Sequence, residues 1–387
     1  MNEKVSRRHF LKQCGRSVLL GLSLESLVLM APRSHSQAMG LQKGYLGRKL
    51  SPFFTPLGDG SVRCELCPHL CEVGLGERGY CEVRENIGGR YYSLVYGNPC
   101  AVHVDPIEKK PFYHVLPSSR SFSIATAGCN FDCKFCQNWE ISQARPDDTN
   151  NYDLSPEQAV ELASQYECQS IASTYVEPTI FIEYMIDIGI LAQKHSILKV
   201  MHSNGYINQK PLEELGKYLN AACIDLKGFS ESYYRNLTEG SLEPVLETLK
   251  RLKRLGIHTE IVNLVIPGKN DDMKEVAAMC RWIRKELGPD VPLHFSRFYP
   301  LYKLKSLPPT PVSTLELARN TALKEGIHFV YIGNVPGHDA ENTDCPRCNT
   351  RIIQRWGYKV EVLHLKKDRC DQCGQPIPGI WQLPQKT

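Results

Sequence analysis

Residues 121–137 read SFSIATAGCNFDCKFCQ and join a short apolar run to a compact set of cysteines. The β-rich run predicts a strand over residues 122–126, and a loop with Cys129, Cys133 and Cys136 in C-x3-C-x2-C spacing follows directly. From this stretch to about residue 337, short β-rich runs alternate with amphipathic stretches at intervals of roughly 30–40 residues. That alternation is typical of parallel strands joined by crossover helices.

The pattern predicts an α/β fold with seven strands and six helices. The strands are expected at residues 122–126, 170–176, 199–203, 222–226, 259–266, 293–298 and 329–332. The helices are expected near residues 156–166, 180–195, 211–219, 244–255, 273–287 and 314–325. Seven strands are too few for a closed eightfold barrel, so a partial (open) TIM-type barrel is favoured, with a doubly wound sheet as the alternative.

Polar residues fall within or just after successive predicted strands. Each is placed to project from the carboxyl edge of the sheet, where such folds assemble their chemistry. These residues are Glu177, Asn204, Asp225, Lys227, Asn263, His294 and Arg297.

The cysteine loop carries the most specific chemical signal. Three thiolates on one tight loop supply ligands for three irons of a [4Fe–4S] cluster. The fourth iron then lacks a protein ligand and is open to another molecule, whereas four cysteines would saturate the cluster.

These residues resemble the radical S-adenosylmethionine (SAM) superfamily, whose hallmark is C-x3-C-x-aromatic-C with Phe135 as the aromatic residue. Within it, the chain is similar to the branch of pyruvate formate-lyase activating enzymes, and more closely to radical SAM proteins of the AmmeMemoRadiSam system. Residues 105–111 (DPIEKKP), 127–139 (AGCNFDCKFCQNW) and the flanking cysteine segments carry this similarity. The resemblance covers about residues 60–381.

The resemblance implies that SAM binds the free iron and is cleaved reductively to a 5′-deoxyadenosyl radical that abstracts hydrogen. It implies a low-potential electron donor and a protein or peptide substrate, as for glycyl-radical activating enzymes, with a Memo-like protein of the same system among the candidate partners. The alternative is a cluster-bearing electron-transfer or redox-sensing protein that does not cleave SAM.

The resemblance also implies roles for individual residues. Residues 175–178 (YVEP) occupy the position of the family's Gly-Gly-Glu-Pro, so Glu177 is expected to accept hydrogen bonds from the SAM ammonium, although both glycines are replaced. Asn204 and Asp225 are expected beside the methionine portion, and Lys227 beside the SAM carboxylate. Phe135 and His294 are expected to line the cofactor pocket, His294 near the adenosine.

Two further cysteine groups flank the barrel. Their two-residue spacings favour tetrahedral thiolate ligation over disulfides. The N-terminal group is interpreted as a zinc site or a second cluster, and the C-terminal group as a zinc ribbon, with a single iron as its alternative. The groups are Cys64, Cys67, Cys71 and Cys81, and Cys345, Cys348, Cys370 and Cys373. Four single cysteines are expected as small core residues: Cys100, Cys168, Cys223 and Cys280.

Residues 1–38 combine the sequence SRRHFLK, an apolar run and a small-residue exit, which indicates a twin-arginine signal peptide without a stable membrane span. They hold six Lys or Arg and two Asp or Glu, so the remainder is neutral and gives no sign of nucleic-acid binding. The expected domains are 1–38, a cysteine-rich segment at 39–117, the barrel at 118–338 and the ribbon at 339–387. Export to the periplasm or cell envelope is expected, with a cytoplasmic location as the alternative.

Overall fold

The computed structural model describes residues 39–44 and 46–384. Its N-terminal part forms two small antiparallel sheets, in which the strands are ordered β1-β6-β5 and β2-β3-β4. These strands are β1 (Lys49–Leu50), β2 (Phe54–Pro56), β3 (Val62–Cys64), β4 (Glu72–Val73), β5 (Arg84–Ile87) and β6 (Arg90–Ser93). The predicted signal peptide lies outside the described residues.

The main sheet has eight strands in the order β14-β13-β12-β11-β10-β9-β8-β7. Strands β8 to β14 run parallel, and β7 joins β8 in antiparallel pairing. The strands are β7 (Ala101–Pro106), β8 (Arg120–Ala125), β9 (Ser170–Ser173), β10 (Leu198–Ser203), β11 (Ala221–Asp225), β12 (His258–Val265), β13 (Leu293–Arg297) and β14 (Val330–Gly333). Since β14 and β7 are the two edges of this sheet, the barrel is open.

Helices connect the parallel strands as crossovers. A capping box at Ser155 starts the second helix, and the Asp272 side chain caps the seventh, because each accepts a backbone N–H of the first turn. The helices are α1 (Trp139–Ser142), α2 (Pro156–Gln165), α3 (Ile182–Lys194), α4 (Gln209–Gly216), α5 (Glu231–Leu237), α6 (Leu242–Arg254), α7 (Met273–Glu286) and α8 (Val312–Lys324). Short 3₁₀ turns lie at Ile107–Lys109, Pro146–Asp148, Pro178–Phe181 and Asp339–Glu341.

The predicted open barrel of parallel strands with crossover helices is confirmed. The antiparallel edge strand β7 and the short helices α1 and α5 were not predicted from the sequence. The predicted domain boundary after residue 117 separates β7 from the sheet in which it pairs with β8. Along the chain, the barrel sheet therefore begins at Ala101, the first residue of β7.

Residues 107–115 close the amino end of the barrel from inside. Ile107, Phe112 and Val115 are fully buried against Leu198 and Cys223 of the sheet. Burying these apolar side chains contributes the main stabilisation here, at about 1.5–3 kcal/mol for each large one. The open end of the interior is therefore the carboxyl end of the strands.

The C-terminal part forms a three-stranded antiparallel sheet and a two-stranded one. Its strands are β15 (Thr343–Asp344), β16 (Arg351–Trp356), β17 (Lys359–Val362), β18 (Leu365–Lys366) and β19 (Arg369–Cys370). Buried Arg355 of β16 donates to the Tyr113 carbonyl at 2.7 Å and so connects this ribbon to the barrel. In the described part of the chain, none of the helices has the length and apolar character that crossing a bilayer requires.

Candidate active site

A cavity of about 450 Å³ lies at the carboxyl ends of the barrel strands. This volume falls within the range of small-molecule and cofactor sites, about 300–1,000 Å³. The sequence-predicted residues that line it are Cys129, Cys133, Phe135, Cys136, Glu177, Asn204, Asp225 and Lys227. The structure therefore brings together eight predicted residues from separate strand-end loops.

The cysteine loop forms one wall of the cavity. The backbone N–H of Phe131 donates to the Cys129 sulfur at 3.4 Å, and the Cys136 sulfur lies 3.2 Å from the Ser142 hydroxyl. Burial raises the pKa of the Cys129 thiol and raises that of Cys133 to about 12. Buried thiols of this kind lose their protons on binding a metal, so the donor set and the cavity fit a thiolate-bound cluster.

Glu177 organises the opposite wall. Its Oε1 accepts hydrogen bonds from the Thr179 backbone N–H at 3.0 Å, the Thr179 hydroxyl at 2.6 Å and the Ser203 hydroxyl at 2.8 Å. Its Oε2 accepts only the Asn204 backbone N–H, at 2.7 Å. A carboxylate oxygen accepts more than one donor, so Oε2 keeps capacity for a ligand.

Asn204 connects this wall to the cysteine loop. Its side-chain amide donates to the Asn130 side-chain oxygen at 2.8 Å, and its own side-chain oxygen accepts the Tyr206 backbone N–H at 2.9 Å. Asn130 follows Cys129 in sequence and donates in turn to the Tyr206 carbonyl at 2.8 Å. Asn204 therefore positions the loop through its side chain.

Asp225 forms an ion pair with Lys227 on the rim. The Asp225 carboxylate accepts from Lys227 Nζ at 2.9 Å and lies 2.9 Å from His202 Nε2. Burial alone would raise the Asp225 pKa, but Lys227 and His202 together lower it. Lys227 also stands 5.7 Å above the centre of the Phe135 ring, which provides an apolar wall next to this charged pair.

Tyr175, which stands at one of the two replaced glycines, has an unusual backbone conformation. Tyr175 has φ +67°, a left-handed conformation that favours glycine. Its carbonyl accepts the Asn138 side-chain N–H at 2.6 Å, its hydroxyl hydrogen-bonds the Asp105 carboxylate, and Lys110 Nζ lies 4.2 Å from its ring centre. These contacts hold the strained backbone of Tyr175, two residues before Glu177.

His294 is placed differently from the prediction. It lies below the cavity, where its Nε2 is 2.8 Å from buried Glu260 and its ring packs on Tyr113. Ser296, two residues further along β13 on the same face, does line the cavity. Two residues span about 7 Å along a strand. The prediction therefore placed His294 on the correct face of β13 but too close to the cavity.

Other residues that line the cavity were not predicted from the sequence, among them His202 and Tyr358. His202 lies on β10 and shares a face with Val200, so strand alternation could have identified it. Tyr358, at the tip of the β16–β17 hairpin, gave no sequence signal because it reaches the cavity from a separate part of the fold.

The two flanking cysteine groups differ in their spacing. The sulfurs of Cys345, Cys348, Cys370 and Cys373 all lie within 4.8 Å of one another, which suits a single tetrahedral ion. Cys64, Cys67, Cys71 and Cys81 line one common cavity between the small N-terminal sheets and the barrel. Among the single cysteines, Cys168, Cys223 and Cys280 are buried as predicted, and Cys100 is partly buried.

Comparison with known proteins gives matches that cover most of the chain. The family model described as Radical SAM superfamily matches residues 123–280. An uncharacterized protein of Methanocaldococcus jannaschii is 46% identical over 327 residues, which are 84% of this chain and 97% of that protein. A second uncharacterized protein of the same organism is 26% identical over 280 residues, covering 69% and 76% of the two chains.

Among solved structures, a domain of pyruvate-formate lyase-activating enzyme from Bacteroides vulgatus is similar, with 16% identity and a TM-score of 0.38. The match covers 42% of this chain and 98% of that domain. The family-model match spans β8 to α7 and therefore includes the cysteine loop and the Glu177, Asn204 and Asp225 strand ends. The chain belongs to the radical SAM superfamily, whose members are enzymes.

Proposed function

We propose that this enzyme cleaves SAM reductively and uses the resulting 5′-deoxyadenosyl radical to abstract hydrogen from a protein or peptide. Superfamily membership implies an iron–sulfur cluster and SAM as cofactors. The observation that supports the specific reaction is the single cavity shared by three loop thiols, the free face of Glu177 and the Asp225–Lys227 pair. When bound, the cluster and SAM supply the electron and the radical.

The chain's own residues bind and orient these groups. Cys129, Cys133 and Cys136 would hold three irons, and Glu177 Oε2 has capacity for the SAM ammonium. Lys227 carries the positive charge that a SAM carboxylate requires, while Asp225 fixes its position. Phe135 keeps one wall apolar and limits water near the reacting groups.

The decisive experiment measures 5′-deoxyadenosine after anaerobic cluster reconstitution, with SAM and dithionite. The wild-type protein is expected to form it, and Cys133→Ala is expected to form none because one iron ligand is lost. Cys168→Ala is the matched control, since it removes a buried thiol beside the amino end of β9. Wild-type protein that carries the cluster but forms no 5′-deoxyadenosine would refute the proposal.

A macromolecular substrate is supported by aromatic side chains near the cysteine loop. Trp139, three residues after Cys136, stacks on Tyr302 with ring centres 5.4 Å apart and is 39% exposed. Tyr358, which lines the cavity itself, is 58% exposed. Aromatic residues of this kind are enriched at protein interfaces. Spin resonance that detects no protein radical on any candidate partner, a Memo-like protein included, would remove the glycyl-radical form of this proposal.

For the C-terminal cysteines we propose zinc, with a single iron as the alternative. The Cys345 and Cys373 sulfurs are 3.5 Å apart, and those of Cys348 and Cys370 are 3.8 Å apart. Zn–S bonds of about 2.3 Å place tetrahedral ligands roughly 3.8 Å from one another. Metal analysis of Cys348→Ala is expected to show one zinc fewer per chain, and loss of iron instead would favour the alternative.

The twin-arginine sequence supports export to the periplasm or envelope, where a low-potential partner would have to supply electrons. Fractionation of Arg7→Lys/Arg8→Lys tests this route, and accumulation inside the cytoplasm is the expected result. An unchanged distribution would rule out twin-arginine export and favour the cytoplasmic alternative.

A further inference from the structure

The four N-terminal cysteines line one small cavity next to the barrel. Cys64, Cys67, Cys71 and Cys81 all line it, together with His69. In residues 39–44 and 46–384, the only group of three or more His, Cys, Asp or Glu ligand atoms that all lie within 4.8 Å of one another is the C-terminal one. The four N-terminal sulfurs are therefore more widely spaced than those of the C-terminal group.

This spacing discriminates between two kinds of metal group. A single zinc ion brings its four sulfurs to roughly 3.8 Å from each other, since each Zn–S bond is about 2.3 Å. In a [4Fe–4S] cluster each sulfur binds a different iron at a different corner of the cube, so the four sulfurs stand further apart. The three cysteines of the barrel loop are likewise absent from the closely spaced group.

Every sulfur of the N-terminal group also receives a backbone hydrogen bond. The donors to Cys64, Cys67 and Cys81 are the N–H groups two residues further along the chain. The Tyr80 backbone N–H donates to the Cys71 sulfur at 3.5 Å. Hydrogen bonds to the sulfurs stabilise the negative charge of a thiolate-bound cluster in a buried place.

The cavity adjoins the barrel loop directly. His69 Nε2 lies 2.8 Å from the carbonyl of Asn130, the residue that follows Cys129, and Asn130 also lines the N-terminal cavity. A Cβ at Gly128, the residue that precedes Cys129, would stand 2.5 Å from the Cys81 carbonyl oxygen. The backbones of the two cysteine sites are therefore in contact.

We propose that Cys64, Cys67, Cys71 and Cys81 hold a second iron–sulfur cluster, fully ligated by protein, next to the SAM-binding cluster. This inference concerns a separate site and does not depend on SAM cleavage. It replaces the zinc interpretation of this group.

The test uses a full-length variant in which Cys129, Cys133 and Cys136 are all changed to Ala. After anaerobic reconstitution this variant is expected to retain roughly four irons per chain, against roughly eight in the wild type. On reduction it should show a cluster signal in electron spin resonance that SAM does not change. Finding no iron and a zinc ion in its place would overturn the proposal.

A second variant, Cys64→Ala/Cys71→Ala, is expected to lose the other half of the iron and keep the SAM-responsive signal. If this variant does not fold, the wild type still decides the question.

Fully reduced wild-type protein is expected to show two signals broadened by magnetic interaction, of which only one responds to SAM. A single narrow signal with roughly four irons per chain would contradict the proposal. If the triple variant retains iron but the wild type forms no 5′-deoxyadenosine, the proposed function is refuted and the proposal of a second cluster is not.

Discussion

At the scale of single residues, Tyr175 shows how a side chain can replace glycine in a strained turn. Its φ of +67° is maintained by the hydroxyl contact with Asp105 and the carbonyl contact with Asn138. We expect Tyr175→Phe to lower the free energy of unfolding by about 1–2 kcal/mol, because the buried carboxylate of Asp105 loses a donor. Urea denaturation measures this, with Tyr166→Phe as a partly exposed control. Equal effects of the two substitutions would contradict this role.

Lys199 is a second residue whose burial has a measurable effect on the free energy of unfolding. It is fully buried, its Nζ contacts Ser173 Oγ at 2.7 Å, and burial lowers its pKa to about 7. Between pH 7 and the ordinary pKa of 10.5, the unfolded chain binds this proton and the folded chain does not, so stability rises with pH. We expect the wild type to gain about 2 kcal/mol more than Lys199→Met between pH 7 and 9.

The same pair of proteins gives a result at fixed pH. At pH 7 Lys199→Met is expected to be more stable than the wild type, because the cost of burying an ammonium without a carboxylate is removed. Exposed Lys194→Met is the control and should leave both the stability and its pH dependence unchanged. If the unfolding free energies of the wild type and Lys199→Met showed the same pH dependence between pH 7 and 9, the lowered pKa of Lys199 would be refuted.

At the scale of elements, strand β12 and the segment 107–115 are connected through Glu260. Its carboxylate accepts the backbone N–H groups of Tyr113 and His114 at 3.0 and 2.8 Å and contacts His294. Burial alone would raise the Glu260 pKa, but His258 and His294 lower it. Its contribution is therefore present above the ordinary pKa of 4.5 and is lost as the pH falls below that value.

We expect Glu260→Gln to lower the free energy of unfolding by about 2 kcal/mol at pH 6, since a buried charged hydrogen-bond acceptor is replaced. The difference from the wild type should narrow as the pH is lowered from 6 to 3. Chemical denaturation at several pH values measures this, with exposed Glu361→Gln as the control. A difference that stays constant over this range would show that the ionised carboxylate is not the stabilising group.

At the scale of the whole molecule, the C-terminal ribbon completes the cavity. Buried Glu341 accepts the backbone N–H groups of Gly337 at 2.9 Å and of Gly357 at 3.1 Å, and so fixes the hairpin tip. Trp356 packs against Gly337, where an added Cβ would lie 3.1 Å from its ring. Tyr358 thereby reaches the cavity wall from the opposite end of the chain.

This arrangement predicts that the metal proposed for the C-terminal cysteines influences catalysis at a distance. Removing it with a zinc chelator is expected to reduce 5′-deoxyadenosine formation several-fold while the iron content stays constant, because Tyr358 loses its support. In Tyr358→Ala the same treatment should have little further effect, and Leu363→Ala serves as the matched exposed control on the ribbon. An equal loss in Tyr358→Ala and the wild type would show that the ribbon acts by another route.

The alternation of strands and helices, the open barrel and the residue types at the strand ends could all be predicted from the amino-acid sequence. These follow from periodicity and from the rule that parallel strands present their carboxyl ends at one edge. The cysteine spacing and Phe135 identified the cluster loop, because its ligands are neighbours in the chain. Glu177, Asn204, Asp225 and Lys227 line the cavity because each lies at or after the carboxyl end of a strand, and their contacts with SAM stay predictions.

The tertiary structure decided what depends on distance across the fold. Only packing shows that His294 lies one layer below the cavity, on Glu260, and that Tyr358 reaches the cavity from the ribbon. Only packing distinguishes the widely spaced sulfurs at Cys64–Cys81 from the closely spaced ones at Cys345–Cys373, because the sequence allowed a zinc site for both groups. Sequence spacing constrains ligands within one loop, whereas the distance between sulfurs from separate loops is set by how those loops pack.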